Sequence, residues 1–196
     1  MRVSIPIGLL VLAVVTAAEA IPPLPAGLFV LAPEESRITF FVQDNRGGFT
    51  GYAREMEGRA LIRQVQEWVY GAEVQVRVPA RSLTTGLGLR DAQMHRGHLH
   101  PDRFPVIAFT GTVHAAGVRI ASEFPAEVRG LLLLHGRERE MAFPARIIPL
   151  PDGFRGRGEF VVRMSEYGIP IPRFLIFVAE DPVRVTVDLV FRRSSP

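Results

Sequence analysis

Three histidines, His95, His98 and His100, lie within six residues of one another, and imidazole is a common protein ligand for metals. Their spacing, His-x-x-His-x-His, matches no closed zinc pattern, and the chain has no cysteine to complete one. The cluster therefore reads first as solvated surface and second as the polar mouth of a cavity, with no metal expected. Arg90-Asp91 has the composition of a substrate clamp. The reading adopted is structural: Asp91 sits favourably near the positive end of a helix and pairs with Arg90. His135-Gly136 reads as a turn in which Gly136 takes a positive φ, because a catalytic histidine there would need a nucleophile or a carboxylate beside it. The sequence holds no Gly-x-Ser-x-Gly elbow and no His-Glu-x-x-His, and Gly86-Leu87-Gly88 lacks the rest of a phosphate-cradling loop. With no thiol available either, the expectation is a protein that is not an enzyme and carries no cofactor.

Composition narrows the class further. The 196 residues are 47% hydrophobic and 22% charged, ordinary values for a globular protein able to bury a core without disulfides or metal. All 23 basic residues are arginine, and the net charge is +3. A nucleic-acid binder would cluster them. Here they alternate with acids, as in Arg54-Glu55-Met56-Glu57 and Arg137-Glu138-Arg139-Glu140. At the N-terminus, Arg2 precedes an apolar stretch over residues 5–15, and Ala18-Glu19-Ala20 gives a small-x-small cleavage pattern. Residues 1–20 are therefore expected to be a signal peptide, with residues 21–196 forming a single exported domain. No later segment is apolar for long enough to cross a membrane as a helix.

The elements that would position any site are strands. Apolar and polar residues alternate over 36–43, 52–64, 73–78, 106–114, 126–134, 140–148, 158–164 and 183–192, with glycine and proline between. In the last of these Val183, Val185, Val187, Leu189 and Phe191 face in while Arg184, Thr186, Asp188 and Arg192 face out. Residues 89–99 alone read as helix, ended by Pro101. Eight antiparallel strands with one apolar face each must bury those faces together, as a sandwich or a closed barrel. Phe40, Val42, Phe109, Leu132, Met141, Phe143, Phe160, Val162, Val185 and Val187 share the inward parity and are the candidate ligand-binding residues. A filled core and a ligand pocket have the same periodicity, so a filled barrel working through its surface stands as the alternative.

Several segments together resemble the YceI-like family. Arg90-Asp91 and Met94 precede Phe104-Pro105-Val106-Ile107-Ala108-Phe109, similar to that family's helix opening and aromatic-Pro strand start. Upstream, residues 78–86 resemble its strand end followed by Ser82, Leu83, Thr85 and Gly86. Downstream, Val128, Gly130 and Leu132 lead to Leu134-His135-Gly136, and Arg163-x-Ser165-x-Tyr167-Gly168-Ile169 follows. The resemblance runs in order from about Leu31 to Arg193. It implies an all-β, eight-stranded antiparallel lipocalin-like barrel with one or two short helices. It also implies an exported or periplasmic setting and a polyisoprenoid or similar amphiphile held in an elongated cavity. The sequence departs from the family in two places: His98-Leu99-His100-Pro101 replaces an acidic, double-Phe stretch, and Gln93 replaces a usual histidine.

Overall fold

The structure, a computed structural model, describes residues 26–66, 69–116, 123–174 and 177–194. The signal peptide expected over residues 1–20 lies outside these. Among the described residues twelve strands run in chain order: β1 (Gly27–Leu31), β2 (Arg37–Asp44), β3 (Phe49–Ala53), β4 (Glu57–Gln66), β5 (Val69–Pro79), β6 (Leu83–Thr84), β7 (Val106–Ala116), β8 (Phe124–Leu134), β9 (Arg137–Leu150), β10 (Gly153–Arg163), β11 (Arg173–Phe174) and β12 (Phe177–Arg193). One α-helix, α1 (Gly88–Met94), continues into a π-turn over His95–Leu99.

Eight strands close into an antiparallel barrel in the order β1-β4-β5-β7-β8-β9-β10-β12, and β12 pairs back to β1. The length of β12 makes closure possible. One edge of this 17-residue strand pairs with β10, and its other edge is shared. Phe191–Arg193 pair with β1, while residues 179–188 pair with β2. From β2 the sheet continues to β3 and β6, a three-strand leaf that extends the wall at one end.

The expected antiparallel barrel is thus the observed fold, with two corrections to its strands. Residues 52–64, read as one strand, are divided between β3 and β4, which pair with different partners. The break falls at Arg54-Glu55, two consecutive exposed charges that interrupt the period-2 alternation, before Met56 returns to the core. The short β1, lying between prolines, was not anticipated. It supplies Phe29 and Leu31 to the core and the pairing that closes the ring.

The outer face carries cross-strand ion pairs such as Arg155–Asp188 at 2.5 Å and Arg184–Glu159 at 3.6 Å. Each contributes little at the surface, but together they hold the polar parity outward. The inner face gathers into two apolar clusters. One centres on Phe29, Ile62, Phe154 and Phe191, the other on Val42, Leu132, Val162 and Tyr167; Ile107 and Phe109 touch both.

Candidate functional site

The barrel interior is not filled. A cavity of about 770 Å³ runs through it, walled by side chains of both apolar clusters. Its floor is aromatic: Phe154 stacks on Phe191 at 5.0 Å, and Phe29, buried behind the lining, packs edge-on to Phe154 at 5.5 Å. A second aromatic group forms its middle belt, with Phe143 lying 6.2 Å from Phe109 and 4.8 Å from Phe160. The wall valines Val183, Val185 and Val187 are half-buried although they point inward, because they face open space instead of a packed neighbour.

Glycines make room for these rings. Gly111 and Gly130 are directly paired across β7 and β8, and a Cβ on either would come within 2.8 Å of the Phe109 ring. Phe40 lies against Gly51 and Phe143 against Gly158 in the same way. Where a wall residue lacks a side chain, a neighbouring ring occupies the space its Cβ would fill.

The mouth is at the α1 end. Leu87, Leu89, Arg90, Gln93, Met94, His98 and Leu99 all border the cavity, yet Leu87 is 55% exposed and Leu89 85% exposed. Residues that line a cavity while open to water mark its opening. Four of the five polar residues among the lining gather here, Asp44 on β2, Arg90, Gln93 and His98, the fifth being Arg157 on β10; the Arg90 guanidinium lies 4.4 Å over the Phe49 ring.

Asp91 fixes the position of α1. Its carboxylate accepts hydrogen bonds from the Thr84 hydroxyl at 2.5 Å and from the Thr85 amide and hydroxyl, both at 2.7 Å. Burial opposes its ionisation, but these bonds and the nearby His95 outweigh it and hold the carboxyl below the usual carboxylate range. Its ion-pair partner is Arg54 at 3.9 Å, not Arg90 as expected, because successive helical side chains diverge and Arg90 turns toward Phe49.

The three histidines are anchored instead of forming a solvated cluster. His95 Nε2 binds the Leu83 carbonyl oxygen at 2.9 Å, and His98 Nδ1 binds that of Pro170 at 2.7 Å. His100 Nδ1 meets His135 Nε2 at 3.2 Å. Only His98 reaches the cavity, so the polar-mouth reading holds for one of the three. Among the described residues no three His, Cys, Asp or Glu side chains are grouped to hold a metal ion. The turn at His135-Gly136 is as expected, and His135 is left-handed too: φ is 51° at His135 and 73° at Gly136, the signs of a type I′ hairpin.

Phe40, Val42, Phe109, Leu132, Phe143, Phe160, Val162, Val185 and Val187 all line the cavity. Met141 shares their parity but is not among the lining residues; it packs against the second apolar cluster. Sequence reasoning missed the contributions of Leu87, Leu89 and Leu99, and of Phe154 on the floor. Leu89, which opens the stretch read as helix over 89–99, is the one available signal. Phe154 was lost because Gly153, Gly156 and Gly158 made β10 look shorter than it is.

The YceI-like domain family matches residues 29–191. The chain belongs to the YceI-like family. Solved structures with the same fold include Burkholderia cenocepacia BcnA, at a TM-score of 0.67 and 13% identity over 82% of this chain and 98% of that one. A polyisoprenoid binding domain from Saccharophagus degradans, implicated in plant cell wall breakdown, has a TM-score of 0.64 and 14% identity over 87% of this chain and 100% of that one. A Campylobacter jejuni YceI protein has a TM-score of 0.55 and 13% identity over 74% of this chain and 85% of that one. At these identities the likeness is one of fold. No curated protein sequence matches the chain. Among the described residues of this YceI-like barrel, no helix is long and apolar enough to cross a membrane.

Proposed function

We propose that this YceI-like protein is an exported carrier or sequestering protein that holds a long-chain polyisoprenoid or similar amphiphile in its barrel, without catalysis. The observation that carries the reading is the apolar cavity of about 770 Å³ with one polar rim. It falls within the roughly 300–1,000 Å³ typical of small-molecule sites. Burying a hydrocarbon chain is favourable by about 0.8 kcal/mol per CH₂, so ten such groups contribute about 8 kcal/mol before association costs. Apolar walls therefore suffice, and no acid, base or nucleophile is required of the site.

In this reading Phe40, Val42, Phe109, Leu132, Phe143, Phe160, Val162, Val185 and Val187 contact the chain, its end rests on Phe154 and Phe191, and the head group stays beside Arg90, Gln93 and His98. Residues 1–20 are the leader and residues 21–196 the lipid-binding barrel, which places the mature protein outside the cytoplasm. The Saccharophagus degradans polyisoprenoid binding domain, of the same fold, supports this ligand class. The alternative of a filled barrel acting through its surface is disfavoured by the open interior. Native mass spectrometry of protein purified from its own host tests the proposal. A co-purifying prenyl or other long-chain lipid is expected. Protein that stays lipid-free and fails to take up a fluorescent prenyl lipid would refute it.

A further inference from the structure

A second groove, of about 710 Å³, lies on the other side of the π-turn from the cavity mouth. Four arginines line it, Arg81, Arg96, Arg103 and Arg137, with His95, His100 and His135, against one carboxylate, Asp102. That carboxylate is already paired with Arg81. The cations come from four separate stretches of chain: the Ala80–Ser82 turn, the π-turn, the turn that follows it and the β8–β9 hairpin. Among the described residues Arg96 makes no hydrogen bond or ion pair through its side chain, and Arg103 lies 5.1 Å over the Phe104 ring without a carboxylate partner.

The backbone around this groove is unusual. Among the described residues only His100, with φ 45°, and His135, with φ 51°, are left-handed without being glycine. Both line this groove, and they are bonded to each other although 35 residues apart in sequence. Each conformation has a local cause, the left-handed C-cap of the π-turn at His100 and the type I′ turn at His135, and together they bring the two imidazoles to one groove.

The hydrogen bonds fix the tautomers. The Tyr167 carbonyl can only accept, so His135 donates to it from Nδ1–H at 3.1 Å. His135 Nε2 is then an acceptor, filled by Nδ1–H of His100. That leaves Nε2 of His100 outside this chain of hydrogen bonds, whereas both ring nitrogens of His135 are committed. Burial is the largest cause holding His135 below the usual histidine range; His100, Arg103 and Arg137 push the same way, against the Tyr167 bond. Positive charge therefore converges here without a matching carboxylate.

We propose that this groove binds a phosphate-type anion, a phosphate monoester or diphosphate, held by Arg96, Arg103, Arg137 and His100. Guanidinium groups suit such oxygens because their forked N–H donors match them in pairs. The anion would belong either to a soluble phosphate compound or to the head group of an amphiphile whose tail lies elsewhere; both present the same oxygens.

Inorganic pyrophosphate is the probe, titrated into the full mature chain by calorimetry and by NMR of the histidine ring protons at low ionic strength. Saturable binding is expected, with the His100 and His135 resonances moving and affinity falling as salt rises. Arg103→Gln with Arg137→Gln should weaken it by roughly tenfold or more. Arg96→Gln, which removes a side chain with no partner to lose, should weaken it without touching stability. Uptake of a fluorescent prenyl alcohol, which reports on the cavity, should be unchanged in both variants. If a prenyl diphosphate binds more tightly than the alcohol and loses that advantage in the variants, the anion is a head group. If the two bind alike and pyrophosphate binds whether or not the cavity is loaded, it is a soluble phosphate. No saturable pyrophosphate binding in the millimolar range, or binding indifferent to all three arginines, overturns the proposal while leaving the lipid reading to its own assay.

Discussion

Gly156→Leu separates a ligand cavity from a packed core. Gly156 lines the cavity on β10, opposite Ile147 and Leu189 near the floor. A Cβ built there meets only Ile147 Cδ1, at 3.7 Å, an ordinary contact. The four added carbons therefore project into open space. If they displace about four ligand CH₂ groups at about 0.8 kcal/mol each, binding weakens by about 3 kcal/mol, or about 200-fold in Kd. Stability should hold or rise, because glycine in a strand interior is unfavourable by roughly 0.5–1 kcal/mol relative to alanine. The control is Gly158→Leu, two residues along the same strand face. There a Cβ comes within 2.8 Å of the Phe143 ring, which must move, and overpacking costs about 1–3 kcal/mol. The assays are chemical denaturation and titration with a fluorescent prenyl lipid. Two results would refute the reasoning: Gly156→Leu destabilising as much as Gly158→Leu, which means the space is closed, or Gly156→Leu binding lipid at full affinity, which means the lipid sits elsewhere.

Leu132→Trp and Val162→Trp, both on the cavity wall, should lose prenyl-lipid uptake while retaining most of their stability; unfolding of both in a melting experiment would mean a filled interior. Asp91→Ala should cost about 2 kcal/mol in denaturant unfolding, since it removes a half-buried charged acceptor from three donors. The same carboxylate predicts an acid limb: its folded pKa lies below the usual carboxylate range, so its contribution is complete above the unfolded value and is lost as pH falls through the lowered one. A pH series of wild type and Asp91→Ala should therefore converge at low pH, and parallel curves would argue against this anchor. N-terminal sequencing of exported protein should begin at Ile21, after Ala20; a mature chain that still starts at Met1 would remove the basis for export.

Alternation along single strands is a local property, and the sequence determined it. Val183, Val185 and Val187 face inward because successive residues of any strand point to opposite faces, whatever the strand pairs with. Eight such faces require a sandwich or a barrel, and His135-Gly136 requires a tight turn. Three things depended on distant partners, and only the tertiary structure decided them. Closure rests on β12 sharing one edge between β1 and β2, which no pattern within β12 reveals. The empty centre rests on Gly51, Gly158 and the Gly111–Gly130 pair lying under the Phe40, Phe143 and Phe109 rings, a matter of register between strands. The histidines divided in the same way. His95, His98 and His100 are one motif in sequence, yet a π-turn directs His98 into the cavity and sets His95 and His100 along the cationic groove with His135, because the turn rotates successive side chains onto opposite sides of one short element.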